Sequence, residues 1–304
     1  MPSPQLPRRR RARASARLVP AAVIAAAALA LTGCAGASAQ GSDRSSTAGD
    51  SSTSNSPAWA HAHGIYASPD GTQVMVATHD GLHDYSSNTP TRVGEPNDYM
   101  GFAGDGATFY ASGHPGAGSS LPEPLGFARS TDGGKTWTPL SLAGKSDFHA
   151  LTLTRGGAVG FDGSLRTTAD LTSWTDATDQ VQAFALAGRP DTAIVLATTP
   201  TGVQRSVDSG RTWKPVDGSP VVQFAALAGP RTAAGITPDG NVHISTDAGL
   251  TWTAAGKISG QVQAMTATES GGKLRIWVVT ASGVQVSTDG GRTFTAYTGK
   301  VAAK

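Results

Sequence analysis

The chain has 304 residues, with one cysteine, 38 glycines, 18 prolines, 6% aromatic and 15% charged residues. A single cysteine forbids an internal disulfide, so a disulfide-stapled scaffold is excluded. The formal net charge of +2 belongs to the N-terminus: Arg8, Arg9, Arg10, Arg11, Arg13 and Arg17 are six of the 24 basic residues, and without them 18 basic residues face 22 acidic ones, a net of −4. That balance argues against nucleic acid as a partner, since phosphate binding needs positive charge clustered on the folded body.

Behind the arginines, residues 18–31 (LVPAAVIAAAALAL) form an apolar run of 14. Such a run is short for a membrane span and right for the hydrophobic region of an export signal. It ends in Leu31-Thr32-Gly33-Cys34, which resembles the lipobox of bacterial lipoprotein signal peptides. The resemblance implies cleavage before Cys34 and acylation of its thiol, by palmitate or a similar chain, and of its amine. The expected organisation is a signal peptide over 1–33, an acylated Cys34 opening a Ser/Gly-rich tether over 34–57, and a folded body over 58–304. The tether composition buries too little apolar surface to offset the entropy of ordering, so a disordered spacer is expected. The protein is then expected as a monomer on the extracytoplasmic face of the cell membrane, held there by lipid.

From residue 58 onward the chain repeats. STDGGKTW at 130–137 recurs as SVDSGRTW at 206–213, STDAGLTW at 245–252 and STDGGRTF at 287–294. These four copies resemble the Asp-box, or BNR, motif of sialidases, sortilin-type receptors and photosystem II assembly propellers. The motif has its own physical logic: the carboxylate accepts backbone N–H groups across a tight turn, glycine takes positive φ, and the aromatic packs on the sheet. Asp132, Asp208, Asp247 and Asp289 are therefore read as structural. A decayed copy at 167–174 (TTADLTSW) is read with Ala169 at the Asp position and Leu171 at the Gly position. Counted by the aromatic from Trp137 to Phe294, the spacings are 37, 39, 39 and 42 residues. A period near 40 with short apolar runs and Gly-rich turns predicts an all-β, six-bladed β-propeller, with blades over about 61–97, 98–146, 147–180, 181–220, 221–260 and 261–298. Blade 1 carries no Asp-box, and blade 2 carries an insertion around 116–124.

Six of the seven histidines lie between residues 61 and 149. His63 and His149 are predicted at the first inward position of the innermost strand in blades 1 and 3. His79 and His114 are predicted to close the second strand of blades 1 and 2. Two residues ahead of the inward position stand His61, Asp98 and Asp147, on the same strand face. His61, His63, His79, His114 and His149 should then gather at one mouth of the channel. Imidazoles with a carboxylate suit a transition metal such as zinc or copper. The same set also suits a polar ligand, an acid–base pair made of Asp98 and Asp147, or a merely hydrated channel.

The series HAHGIY, THDGL, DYMGF, ASGHP, STDGGKTW and DFHAL is similar to a family of actinobacterial BNR-repeat lipoproteins often labelled glycosyl hydrolase. The similarity spans about residues 59–298 and implies a sialidase-like fold; the label rests on that fold, which does not carry function. Sialidase chemistry also needs arginines that clamp a carboxylate and a Tyr–Glu nucleophile pair. Here Arg129, Arg205, Arg211 and Arg292 belong to Asp-box turns or outer strands, and the three glutamates, Glu95, Glu123 and Glu269, pair with no tyrosine at a blade start. Three readings stay open: a ligand or metal binder, a non-enzymatic adaptor that binds a protein partner at a propeller face, and a glycoside hydrolase using Asp98 and Asp147.

Overall fold

A computed structural model describes residues 61–106 and 108–299. The signal peptide, Cys34 and the tether lie outside the described residues. The described chain is all β, and its 24 strands form six antiparallel four-stranded sheets. Blade 1 holds β1 (Ala62–Ala67), β2 (Val74–Thr78), β3 (Gly81–Asp84) and β4 (Thr91–Val93). Blade 2 holds β5 (Asp98–Gly104), β6 (Phe109–His114), β7 (Phe127–Ser130) and β8 (Thr138–Ser141). Blade 3 holds β9 (Ala150–Thr154), β10 (Gly157–Phe161), β11 (Leu165–Thr168) and β12 (Thr175–Asp176). Blade 4 holds β13 (Ala185–Ala187), β14 (Val195–Thr199), β15 (Gly202–Ser206) and β16 (Lys214–Pro215). Blade 5 holds β17 (Phe224–Leu227), β18 (Ala233–Ile236), β19 (Asn241–Ser245) and β20 (Thr253–Lys257). Blade 6 holds β21 (Val262–Ser270), β22 (Lys273–Thr280), β23 (Gly283–Ser287) and β24 (Thr295–Ala296).

The innermost strands pack in the cyclic order β1, β5, β9, β13, β17, β21 and back to β1. Blades 1 and 4 therefore face each other across the channel, as do 2 and 5, and 3 and 6. The second strand of each blade lies between neighbouring blades and is covered on both faces. β2 (VMVAT) and β14 (VLATT) are buried at every residue, so they read as continuous apolar runs rather than alternating ones. The outermost strands β12, β16 and β24 have two residues each and are exposed, a short edge that offers little to edge-to-edge pairing.

Each Asp-box is a turn that also joins two blades. At the blade 2 copy, Ser130 Oγ donates to Asp132 Oδ1 at 2.8 Å, while the Thr136 N–H reaches Asp132 Oδ1 at 3.0 Å and the Thr136 hydroxyl reaches Oδ2 at 2.6 Å. The Gly134 N–H is held by Ser130 Oγ at 2.8 Å. The Thr136 hydroxyl and amide bonds hold the Asp132 carboxyl down at about 2. Gly134 has φ of 91°, and a Cβ on it would clash with Leu82 Cδ2 of blade 1. Trp137 packs with Met75 and Leu82 of that same preceding blade. Blades 4, 5 and 6 repeat the arrangement, with Gly210 against Val159, Gly249 against Leu196 and Gly291 against Val242. The structural reading of the four aspartates thus acquires a second part, cementing each blade to the one before it.

The decayed box needs a correction. Asp170, not the position of Ala169, performs the turn: Thr168 Oγ1 donates to Asp170 Oδ1 at 3.0 Å, and the amides of Thr172 and Ser173 reach it at 2.9 and 2.7 Å. Leu171 takes φ of 65° where other copies have glycine, serine or alanine. The copy is a box shortened by one residue between the aspartate and Trp174.

Because these carboxylates hold exposed turns, Asp132→Ala should lower stability by about 1 kcal/mol, the scale of losing a turn-capping acceptor. That corresponds to roughly 2–4 °C in a body of this size. Thermal unfolding by circular dichroism checks it, and Asp132→Asn, which keeps one acceptor oxygen, should recover part of the loss.

Candidate functional site

Antiparallel pairing places the start of each innermost strand and the end of each second strand at the same end of the molecule, opposite the Asp-box turns. Six equivalent positions encircle that mouth: His63, Met100, His149, Phe184, Gln223 and Gln263. Three of them are produced by β-bulges, where the register shifts between Ala62 and Gly64, Tyr99 and Gly101, and Val262 and Ala264. A bulge adds one residue and re-aims its side chain, here toward the mouth. In blade 4, Phe184 takes the position: its amide bonds the Thr198 carbonyl at 2.9 Å, as Gln223 bonds Ile236 at 2.8 Å and His149 bonds Phe161 at 2.9 Å.

The histidines do not form one cluster. They form two, built by the same cross-blade contact. In blades 1 and 2, His79 Nδ1 lies 2.8 Å from Asp98 Oδ1, and His79 Nε2 lies 3.1 Å from His63 Nε2. The carboxylate fixes the His79 proton on Nδ1 and leaves the Nε2 lone pair facing His63. Burial, followed by the neighbouring His79, pushes the His63 imidazole down to about 4, so it is neutral at ordinary pH. His61 is exposed, with its ring centroid 5.7 Å from that of His79. His63, His79 and Asp98 offer donor atoms within 4.8 Å of one another.

In blades 2 and 3, His114 Nε2 lies 3.2 Å and His149 Nε2 2.8 Å from Asp147 Oδ2. His114 Nδ1 also lies 2.6 Å from Glu123 Oε1, on the blade 2 insertion. With a carboxylate at each nitrogen, and the Glu123 bond foremost, His114 is held above the usual imidazole range. A donor of two N–H bonds has no lone pair for a metal. His114 therefore belongs to a charged hydrogen-bond network, whereas His63 and His79 meet through one hydrogen bond, His63 Nε2–H donating to the His79 Nε2 lone pair, with no carboxylate on either of the facing nitrogens. Asp98 and Asp147 are both engaged by imidazoles. Sequence reasoning missed the role of Glu123, because an insertion has no counterpart in the other repeats.

Residues near these in sequence go elsewhere. Tyr99 is fully buried, 5.1 Å ring to ring from Trp137, and Glu95 accepts from Ser119 at 2.7 Å. Asp162 turns into blade 3, where it meets Ser146 and Arg166. His83 lies 3.1 Å from Asp80 on the third strand.

Below the mouth is a channel cavity of about 450 Å³ lined by His63, Met100 and His149 on blades 1–3 and by Phe184, Phe224 and Met265 on blades 4–6. Among the described residues no arginine lines it. At the rim, Phe184 and Val221 are 55% and 45% exposed, and an apolar groove runs from Phe184 past Pro200, Val221 and Ile258.

Residues 128–139 match the BNR/Asp-box repeat family. The chain is a six-bladed β-propeller that carries BNR/Asp-box repeats. No curated protein sequence matches it. Among solved structures it is similar to YCF48 bound to a D1 peptide, with 17% identity, 78% of this chain and 82% of that chain covered, and a TM-score of 0.50. It is similar to Kuenenia stuttgartiensis hydrazine synthase, with 17% identity, 79% and 80% covered, and a TM-score of 0.50. It is also similar to the Neurospora crassa Pan2 WD40 domain, with 11% identity, 74% and 88% covered, and a TM-score of 0.50. At these identities the likeness is one of fold.

Proposed function

We propose that this protein is a lipid-anchored, extracytoplasmic β-propeller that binds a divalent transition metal at the blade 1 and 2 side of its channel mouth. The carrying observation is the His63–His79 pair, two Nε2 atoms 3.1 Å apart with Asp98 behind His79. Two imidazoles on one tetrahedral zinc, at about 2.0–2.1 Å each, have nitrogens roughly 3.3 Å apart, so the Nε2 spacing suits a shared ion once the rings, now with centroids 4.3 Å apart, turn to aim both lone pairs at it and the ion replaces the shared proton. A neutral imidazole oriented by a carboxylate is the ligand that zinc and copper favour. His61 is within reach as a further donor, and Asp98 acts through His79 or as a ligand itself.

Elemental analysis of the purified full chain, with zinc and copper titrations followed by calorimetry, tests the reading. It fails if neither metal binds and neither raises the melting temperature.

Anchoring rests on the lipobox-like segment ending at Cys34. Cys34→Ala should move the protein from the membrane to the soluble fraction and abolish labelling by radioactive palmitate. Membrane retention with full labelling would count against Cys34 as the acylated residue.

A further inference from the structure

The channel cavity has a mostly apolar lining with few polar side chains, His63 and His149 on blades 1 and 3 and Gln263 on blade 6, and an aromatic wall on blades 4 and 5. Blade 1 contributes His63, with its lone-pair partner His79 at the rim, and blade 4, directly across, contributes Phe184. Blade 3 contributes His149, and blade 6 across from it contributes Gln263 and, two residues on, Met265. At the rim the two sides differ. Asp98 and Asp147 face the second-strand ends of the preceding blades as His79–Asp98 and His114–Asp147 pairs, while Val221 and Pro200, at the corresponding positions of blades 5 and 4, line the apolar groove together. Phe184 and Phe224 meet edge to face with centroids 5.4 Å apart, making an aromatic wall. Phe184 remains 55% exposed, a large apolar side chain held at the cavity mouth with no protein cover. A hydrated channel has no need of such a wall, whereas small-molecule cavities of several hundred Å³ combine an apolar lining with a few convergent polar groups.

We infer that this cavity holds a small amphipathic organic ligand, whose anionic or metal-ligating head meets the His63–His79 side while an aromatic or branched apolar body lies against Phe184 and Phe224. The inference rests on the metal reading for the head group and on the opposite wall for the body. The two parts are separable. An aromatic body buried against that wall should add about tenfold in affinity, the low end of what burying one large apolar group supplies.

The test compares benzohydroxamate with acetohydroxamate, which share a metal-ligating head and differ in the body. Each is titrated into the full chain in detergent with and without zinc, against a blank of empty micelles. Benzohydroxamate should bind the zinc-loaded protein at least tenfold more tightly. Phe184→Ala should shrink that preference to threefold or less with zinc affinity unchanged, and His63→Ala should weaken zinc binding at least a hundredfold. Zinc binding with equal affinity for the two hydroxamates would overturn the amphipathic ligand and leave the metal reading standing. Absence of zinc binding, together with a preference that Phe184→Ala removes, would overturn the metal reading and support the aromatic wall. Neither zinc binding nor preference would overturn both. Because Phe184 is exposed, its replacement leaves the fold intact, which an unchanged melting temperature verifies.

Discussion

Replacing His63 with alanine should weaken zinc or copper binding at least a hundredfold, and His63→Ala/His79→Ala should abolish it. Each substitution removes a donor nitrogen outright, and a site with two imidazoles from one blade cannot recruit a substitute from the far side of the channel, where Phe184 stands. The carboxylate behind the pair gives a graded companion. Asp98→Asn keeps an oxygen to accept the His79 Nδ1–H bond and loses the charge that raises ligand basicity, so a loss of about tenfold is expected. His114→Ala serves as the contrast. His114 lies between Glu123 and Asp147 with both nitrogens occupied, and its removal should leave metal affinity within about threefold. Competition titration with a chromogenic chelator measures all four variants on one scale. Equal losses from His63→Ala and His114→Ala would refute the division of the mouth into two clusters.

The parts of this architecture that repeat were legible in the sequence, and the parts that break the repeat were not. Ser, Asp, Gly and Trp recur every 37 to 42 residues because each blade solves the same problem, a tight turn beneath the preceding blade, so the period exposes the fold. Blade count and boundaries followed from it, as did the placement of His63, His79, His114 and His149 at one end. The split of those histidines was hidden, because it depends on Glu123, which arrives from an insertion, and on which nitrogen each carboxylate engages. The shortened box at Asp170 was misaligned for a related reason: matching letters kept the eight-residue length, whereas the turn needs only a carboxylate two residues after a hydroxyl. Phe184 was hidden as well: Val181-Gln182 matches the Val-Gln starts of blades 5 and 6 by letter, whereas the hydrogen-bond register puts Phe184, two residues on, at the mouth.

Ring closure yields the largest stability effect. Among the described residues each blade is a contiguous stretch of chain, and no strand is exchanged between blades 6 and 1. That junction therefore depends on side chains: the Ala62 amide reaches Gln263 Oε1 at 3.0 Å, Arg275 Nη1 reaches the Pro69 carbonyl at 3.0 Å, and the Tyr297 hydroxyl reaches the Gly71 carbonyl at 3.1 Å. Blade 1 also lacks an Asp-box, and Tyr85 packs in the cluster where other junctions have the box aromatic. Trp277 lies in that cluster, fully buried, with its ring edge-on to Tyr297 at 5.1 Å and Nε1 donating to Thr268 Oγ1 at 3.2 Å. Trp277→Ala should cost about 3–5 kcal/mol through the cavity it leaves. In a body of this size that is a fall of roughly 6–20 °C in melting temperature. Limited proteolysis should then cut first in blades 1 and 6, because opening the ring at its unlatched junction exposes their facing sheets while blades 3 and 4 stay covered by their boxes. Trp277→Phe, which restores most of the volume and forfeits the Thr268 bond, should recover more than half of the loss. Should Trp277→Ala instead unfold all blades with a single protease-sensitivity profile, closure would be shared around the ring rather than concentrated at the 6–1 junction.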